Sequence, residues 1–129
     1  MMGKPMSLCI SDDNKWLVCG FEAGSIVLWD LATSSVVKTV TGVAFESPSI
    51  VKVQFWKGNT DFLSLDSSGN VVLHTIEKYL WTGIRSRKLF QTTAAVYHDA
   101  RTSTLENGHI VLALANVDYV YLIRLEPSM

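Results

Sequence analysis

His98-Asp99, with serines scattered along the chain, supplies the residue types of a Ser-His-Asp hydrolase. Such a triad works by geometry: the histidine must reach the serine oxygen while the acid holds its other nitrogen. Neighbours on an extended segment point in opposite directions, so His98 and Asp99 do not build that relay by themselves. Turn structure explains the pair better, and the chain reads as a non-enzyme. Cys9, Cys19 and the dispersed His74, His98 and His109 lack the spacing of a four-ligand zinc centre. Gly-x-x-x-x-Gly-Lys-Ser/Thr, Gly-x-Gly-x-x-Gly and Gly-x-Ser-x-Gly are all absent from the sequence, so no phosphate cradle, dinucleotide turn or nucleophile elbow is expected. No metal, cofactor or small-molecule substrate is expected.

What remains is the chemistry of contact. Arg85, Arg87 and Lys88 place three of the 11 basic residues within four positions. They suit acidic lipid headgroups or an acidic partner surface. They equally suit the solvated outer edge of a sheet, where charge blocks edge-to-edge pairing and Arg-x-Arg fits one exposed face. Tyr79 and Trp81 could anchor a partner, although packing uses such aromatics routinely. A loop over residues 41–49 carries Phe45, Glu46 and Pro48, and loops on a rigid scaffold commonly hold binding residues. Phe45 is a candidate contact there, or a local core residue under the loop. His74 reads as a packed core histidine. His109, after Asn107-Gly108, reads as a solvent-facing turn residue.

These residues need a frame, and the composition bounds it. The chain has 129 residues, 48% hydrophobic and 18% charged, with a net charge of -1. That suits one folded domain, excludes a disordered tail, and leaves no broad electrostatic footprint for nucleic acid. The longest apolar run, Ile110 to Ala115, is six residues, where a helical span needs about 20. Met1 to Asp13 is too weakly apolar for a signal-peptide core. Asn-x-Ser/Thr does not occur. A hairpin turning near Asp13, with Ile10 opposite Leu17, would set Cys9 beside Val18 and send Cys19 to the other sheet face. A reducing, cytosolic setting with two buried free thiols is expected.

The chain repeats itself. Ala23-Gly24-Ser25-Ile26-Val27-Leu28-Trp29 is followed 45 positions later by Ser68-Gly69-Asn70-Val71-Val72-Leu73-His74. Each copy follows two earlier apolar segments: Ser7 to Ile10 and Trp16 to Cys19, then Ile50 to Phe55 and Phe62 to Leu65. A fainter third copy runs through Ala94 to Tyr97, Ile110 to Ala115 and Tyr119 to Leu125. The segments are short, rich in Val, Ile, Leu and aromatics, and bounded by Gly, Asp, Asn and Ser, which describes strands. Their turns are too short for crossovers and join antiparallel neighbours. Ile26 to Trp29 and Val71 to Leu73 do not alternate with polar residues, so both faces are covered. Repeated hairpins buried on both faces describe an all-β, partial WD40-like β-propeller of about three four-stranded antiparallel blades, in units of about 7–42, 50–90 and 93–126. A blade takes roughly 40–45 residues and closure needs about four to eight blades. The ring therefore does not close, and the chain reads as a piece of a longer polypeptide whose end blades expose apolar faces.

Ile10-Ser11-Asp12-Asp13 through Trp29-Asp30-Leu31 resembles a WD40 repeat, with Trp29-Asp30 at the name-giving dipeptide and Gly24 and Gly69 at the corresponding turns. WD40 repeats often carry a hydrogen-bonded set of Trp, Ser/Thr, His and Asp. Trp29 fits the first place, but Cys19 holds the Ser/Thr place and Ala23 the Asp place. In the second copy Ser64 fits, while His74 replaces Trp and Ser68 replaces Asp. The set is degenerate, so apolar packing is expected to carry the blades. Trp29, if buried between blades, should cost about 3–5 kcal/mol on replacement by Ala.

Leu17-Val18-Cys19-Gly20-Phe21, Gly24-x-Ile26-x-x-Trp29-Asp30-Leu31-Ala32, Ile50 to Phe55, Asp66 to Val71, and Gly83-Ile84-Arg85 with Arg87 and Leu89-Phe90 resemble the N-terminal propeller of the vacuolar protein sorting-associated protein 8 family. The resemblance covers about residues 7–90 well and the remainder loosely. It implies a non-catalytic interaction module of an endosomal tethering complex, CORVET, in transport to the vacuole or lysosome. Implied partners are other tethering-complex subunits and an endosomal Rab GTPase, with a cytoplasmic location peripheral on endosomal membranes. The family's helical solenoid and zinc-binding RING domain have no counterpart in this sequence. The rival readings are a generic WD40 scaffold, such as a ubiquitin-ligase substrate receptor, and a small hydrolase using His98 and Asp99.

Overall fold

The apolar segments form strands, and tight turns join them in antiparallel order. The computed structural model describes residues 2–41, 48–56, 59–78, 82–91, 99–105, 107, 109–115 and 119–125. Strands β1 (Pro5–Ile10), β2 (Trp16–Phe21), β3 (Ile26–Asp30) and β4 (Ser35–Val40) make one sheet in chain order. Strands β5 (Ile50–Phe55), β6 (Asp61–Asp66), β7 (Asn70–Lys78) and β8 (Thr82–Gln91) make a second in the same way. Strands β9 (Asp99–Thr104), β10 (Ile110–Ala115) and β11 (Val120–Leu125) make a third, three-stranded among the described residues, with β10 in the middle. There is no helix among the described residues.

The repeated glycines mark equivalent corners. Gly24 N–H donates to the Phe21 carbonyl and Gly69 N–H to the Asp66 carbonyl, each at 3.0 Å. Their φ angles, 89° and 84°, lie in the left-handed region that glycine enters at no steric cost. At the β1–β2 turn Asn14 takes that role with φ 60°, as one of the few other residue types that tolerate it. The register there sets Ile10 opposite Leu17 and Cys9 opposite Val18, which sends Cys19 to the other face. Both thiols are free, and Cys19 is buried. Cys9 is only half-buried, contrary to the expectation of two buried thiols, because β1 is the edge strand of its sheet.

The sheets stack as blades. β1 lies against β5, β5 against β9, and β4 against β8, so first strands meet on the inside and last strands lie outside. Trp16, Val18, Ile26 and Leu28 of the first sheet pack on Ile50, Val53, Phe55, Phe62 and Ile76 of the second. Leu63, Leu65, Val71 and Leu73 on its opposite face pack on Ile110 and Leu112 of the third. The second sheet therefore carries an apolar core on each face. As β5 is an edge strand, some of its N–H groups have no ladder partner. Val53 N–H finds Ser7 Oγ at 3.1 Å and Phe55 N–H finds Cys9 Sγ at 3.4 Å, both across the seam on β1.

In the third sheet the inner strand is Asp99–Thr104. The apolar strand expected at Ala94 to Tyr97 lies outside the described residues. β9 is polar by sequence and is held by β10, from Thr104 opposite Ile110 to Asp99 opposite Ala115. The only apolar residue of β9 is Ala100, so apolar periodicity gave no sign of it. Leu8 and Ile10 on β1 and Val120 and Leu122 on β11 stay exposed, Leu8 at 64% and Leu122 at 73%. They lie on the two faces turned away from the second sheet.

Gly20 marks a close approach of the first two sheets. A methyl group there would overlap Ile50 Cγ2 and stand 2.8 Å from Ile50 Cβ and 3.3 Å from Val53 Cγ1. Gly20→Ala should lower stability by about 1–3 kcal/mol in urea unfolding. Adding Ile50→Ala should recover part of the loss; equal stability of the Gly20→Ala variant and the wild type would show that the seam yields freely. The exposed apolar faces should also drive concentration-dependent association, seen by sedimentation. Leu8→Lys with Leu122→Lys should shift the chain toward monomer.

Candidate interaction surface

β8 is the last strand of the second sheet, paired only with β7 among the described residues. Its register sets Arg85 opposite Thr75, Ser86 opposite His74, Arg87 opposite Leu73 and Lys88 opposite Val72. Strand alternation therefore divides the basic cluster. Arg85 and Arg87 share the face of Leu73 and Thr75, toward the third sheet, while Lys88 shares the opposite face with Ser86. Leu89 is the extra residue of a bulge between Lys88 and Phe90, which ends the regular run. All three basic side chains are exposed. Arg85 Nε lies 3.8 Å from Glu77 Oε1, a solvent-screened pair that contributes little to stability. Lys88 Nζ donates to Gln91 Oε1 at 3.3 Å. Arg87 makes no ion pair among the described residues. Asp61, Leu73, Thr75, Arg85, Ser86 and Arg87 line an open cleft of about 640 Å³, and all six belong to the second sheet.

Behind β8 lies a polar node. His74 is 4% exposed. Its Nε2 is 2.8 Å from Ser64 Oγ, its Nδ1 is 2.7 Å from Ser86 Oγ, and its ring stacks on Phe62 with centroids 4.7 Å apart. Burial pushes its pKa down to about 4, so the ring is neutral near pH 7. Phe62 packing and two hydroxyl partners explain why this histidine sits in the core. The sequence placed Ser64 and His74 in the degenerate WD40 set but missed Ser86, which joins only through the β7–β8 register. This blade is pinned by hydrogen bonds as well as by apolar packing. Its turn is held by Asp66 Oδ1, which accepts from Ser68 N–H at 2.9 Å and Asn70 N–H at 3.0 Å.

Trp29 is half-buried, opposite Leu17 and Val36. It lies on the first sheet's face away from the second, so it is not buried between the described blades and its replacement should cost less than a full core deletion. Asp30 accepts the Ala32 N–H at 2.9 Å and stands opposite Trp16. Lys15 Nζ and Lys78 Nζ sit 5.2 and 5.6 Å from the Trp16 ring centroid. The Lys15 amine beside Lys78, by hydrogen bonding and charge, pushes the Lys78 pKa down against the opposing pull of Asp30.

Phe45, Glu46, Tyr79, Trp81 and His98 lie outside the described residues, as does the side chain of Asp99, the first residue of β9. His109 is half-buried rather than solvent-facing, and its buried Nδ1 has no hydrogen-bond partner among the described residues. Among the described residues no three His, Cys, Asp or Glu side chains gather to hold a metal ion. No described helix is long and apolar enough to cross a membrane.

The His74 node makes stability depend on pH. Above its ordinary pKa of 6.5 the ring is neutral folded or unfolded, and its contribution is complete. Between that value and about 4 the unfolded chain takes up a proton that the buried ring refuses, so stability falls as pH drops, by up to about 3 kcal/mol. Urea midpoints measured across this range should fall more steeply for the wild type than for His74→Gln. Parallel curves would show that the ring is protonated in place.

Comparison with known proteins fits this geometry. A family model described as Vps8 beta-propeller matches residues 2–129. The vacuolar protein sorting-associated protein 8 homologs of Mus musculus and Homo sapiens are each 27% identical over 138 aligned positions, which cover 98% of this chain. The chain spans 10% of the length of these curated relatives. Among solved structures, the beta-propeller domain of Myceliophteria thermophila Cps50 (Swd1) superposes with a TM-score of 0.66 at 10% identity, over 94% of this chain and 38% of that one. At that identity the likeness shows the fold alone. The stacked antiparallel blades and the match along nearly the whole sequence agree: this chain belongs to the Vps8 beta-propeller family.

Proposed function

We propose that this chain is a non-catalytic interaction module of a CORVET-like endosomal tethering complex, acting in vesicle transport to the vacuole or lysosome. The observation that carries the reading is the family match over residues 2–129. The two curated relatives carry the name vacuolar protein sorting-associated protein 8 homolog. The chemistry of the described residues is in keeping with binding. The Ser64–His74–Ser86 node contains no carboxylate, and Ser64 and His74 are buried, whereas a nucleophile and its base must meet substrate. An exposed basic cluster lies on β8. In this reading the partners are other tethering subunits and an endosomal Rab GTPase, and the location is peripheral on endosomal membranes. Arg85, Arg87 and Lys88 are the candidate contacts on β8, with Phe45 a further candidate in the loop over residues 41–49. Trp29, Asp30, Gly24 and Gly69 serve as framework.

Tagged chain expressed in cells should co-purify with the other subunits of the tethering complex and concentrate on endosomes. Changing Arg85, Arg87 and Lys88 together to Glu should weaken capture by an endosomal Rab GTPase while leaving the urea midpoint near that of the wild type. Absence of both co-purification and endosomal location would overturn the reading. Unchanged Rab capture by the folded triple variant would remove the basic strand from it.

A further inference from the structure

The division of the basic cluster by β8 has a consequence for what binds there. Arg85 and Arg87 stand two residues apart on one face, about 6.6 Å along the strand. Alternate residues of any extended chain have the same spacing. Arg85 and Arg87 line the open cleft with Asp61, and Thr75 and Leu73 stand beside them on β7. The Arg85 pair with Glu77, at 3.8 Å, is solvent-screened, and Arg87 makes no ion pair among the described residues. From Thr82 to Lys88 the β7–β8 register runs without interruption, so the far edge of β8 offers seven successive residues of regular backbone.

An edge of this kind can be protected by charge alone. Protection does not require two planar forks on one face beside a cleft, and the fork geometry matches carboxylates. A bilayer would leave the free backbone edge of β8 unpaired, whereas an extended chain engages that edge and both forks together. We propose that the β8 edge docks an extended acidic segment of a partner protein, which adds as a strand beside Thr82–Lys88 and sets alternate carboxylates against Arg85 and Arg87. The inference rests on the reading of the chain as an interaction module and names the chemistry of its ligand. Backbone pairing supplies affinity in such strand addition, and the alternate side chains supply specificity. Lys88, on the opposite face, takes no part.

The test uses the 129-residue chain and a fluorescent peptide alternating glutamate with threonine. Binding should weaken with added salt. Arg85→Glu with Arg87→Glu should reduce affinity by about tenfold or more, and Lys88→Glu by less than about threefold. A peptide of the same composition with its glutamates in one block should bind more weakly, as should one with N-methylated amides at alternate positions. The Arg85→Gln, Arg87→Gln pair serves where the Glu variant shifts the urea midpoint. Failure of the alternating peptide to bind, indifference to the arginine changes, or full binding by the N-methylated peptide would overturn the proposal. So would preferential binding to vesicles of phosphatidylcholine and phosphatidylserine. Co-purification with tethering subunits that persists alongside any of these outcomes would sink the docking site and leave the functional reading standing.

Discussion

The second sheet buries apolar side chains on both of its faces, and the other features follow from that. Phe62 on one side is wholly buried and Val71 on the other is 1% exposed. A lone antiparallel sheet of this composition would leave both apolar faces in water, at a cost of roughly 25 cal/mol for each Å² of apolar surface. Flanking sheets relieve that cost, and they must come close to do it. The bare backbone at Gly20 admits Ile50, and the inner edge of β5 finds Ser7 and Cys9 as acceptors for N–H groups that water would otherwise serve. Shape and polarity are satisfied at the same seam.

This constraint also sorts the side chains that face partners from those that hold the frame. On β8, alternate residues alternate in fate. Ser86, though exposed, hydrogen-bonds His74 on one face, while Arg85 and Arg87 stand on the face toward the third sheet. A cluster that is continuous in sequence thus becomes a split one in space. The WD40-type positions divide similarly: His74 is a buried node facing the first sheet, whereas Trp29, one repeat earlier, lies on a face that no described blade covers. One repeat position carries two physical roles because the blades on either side of it differ.

Much of this was legible in the residues. The 45-position repeat, the glycines at the turns and the unbroken apolar runs were enough for the sheet order and for the Cys9–Val18 register, because each is a local signal with a steric cause. Ser86 joining His74, and the polar strand Asp99–Thr104 in a sheet, were not legible. Both depend on which strand lies beside which, and no periodicity within either segment records its neighbour. His109 was misjudged for the same reason: a turn signal before it speaks for the backbone and not for what packs over the ring. The candidate contact surface was readable as a basic cluster that strand alternation divides, but which of its two faces meets the third sheet required the β7–β8 register.

Gly20 and Ile50 occupy one volume from two blades. Neither position can accept a larger side chain unless the other gives up atoms, so substitutions at the two are tied. Across sequences that keep this seam, the pair should drift in concert, a bulkier residue at one site travelling with a smaller one at the other. The joint between neighbouring blades is thereby written as a correlated pair of positions far apart in the chain.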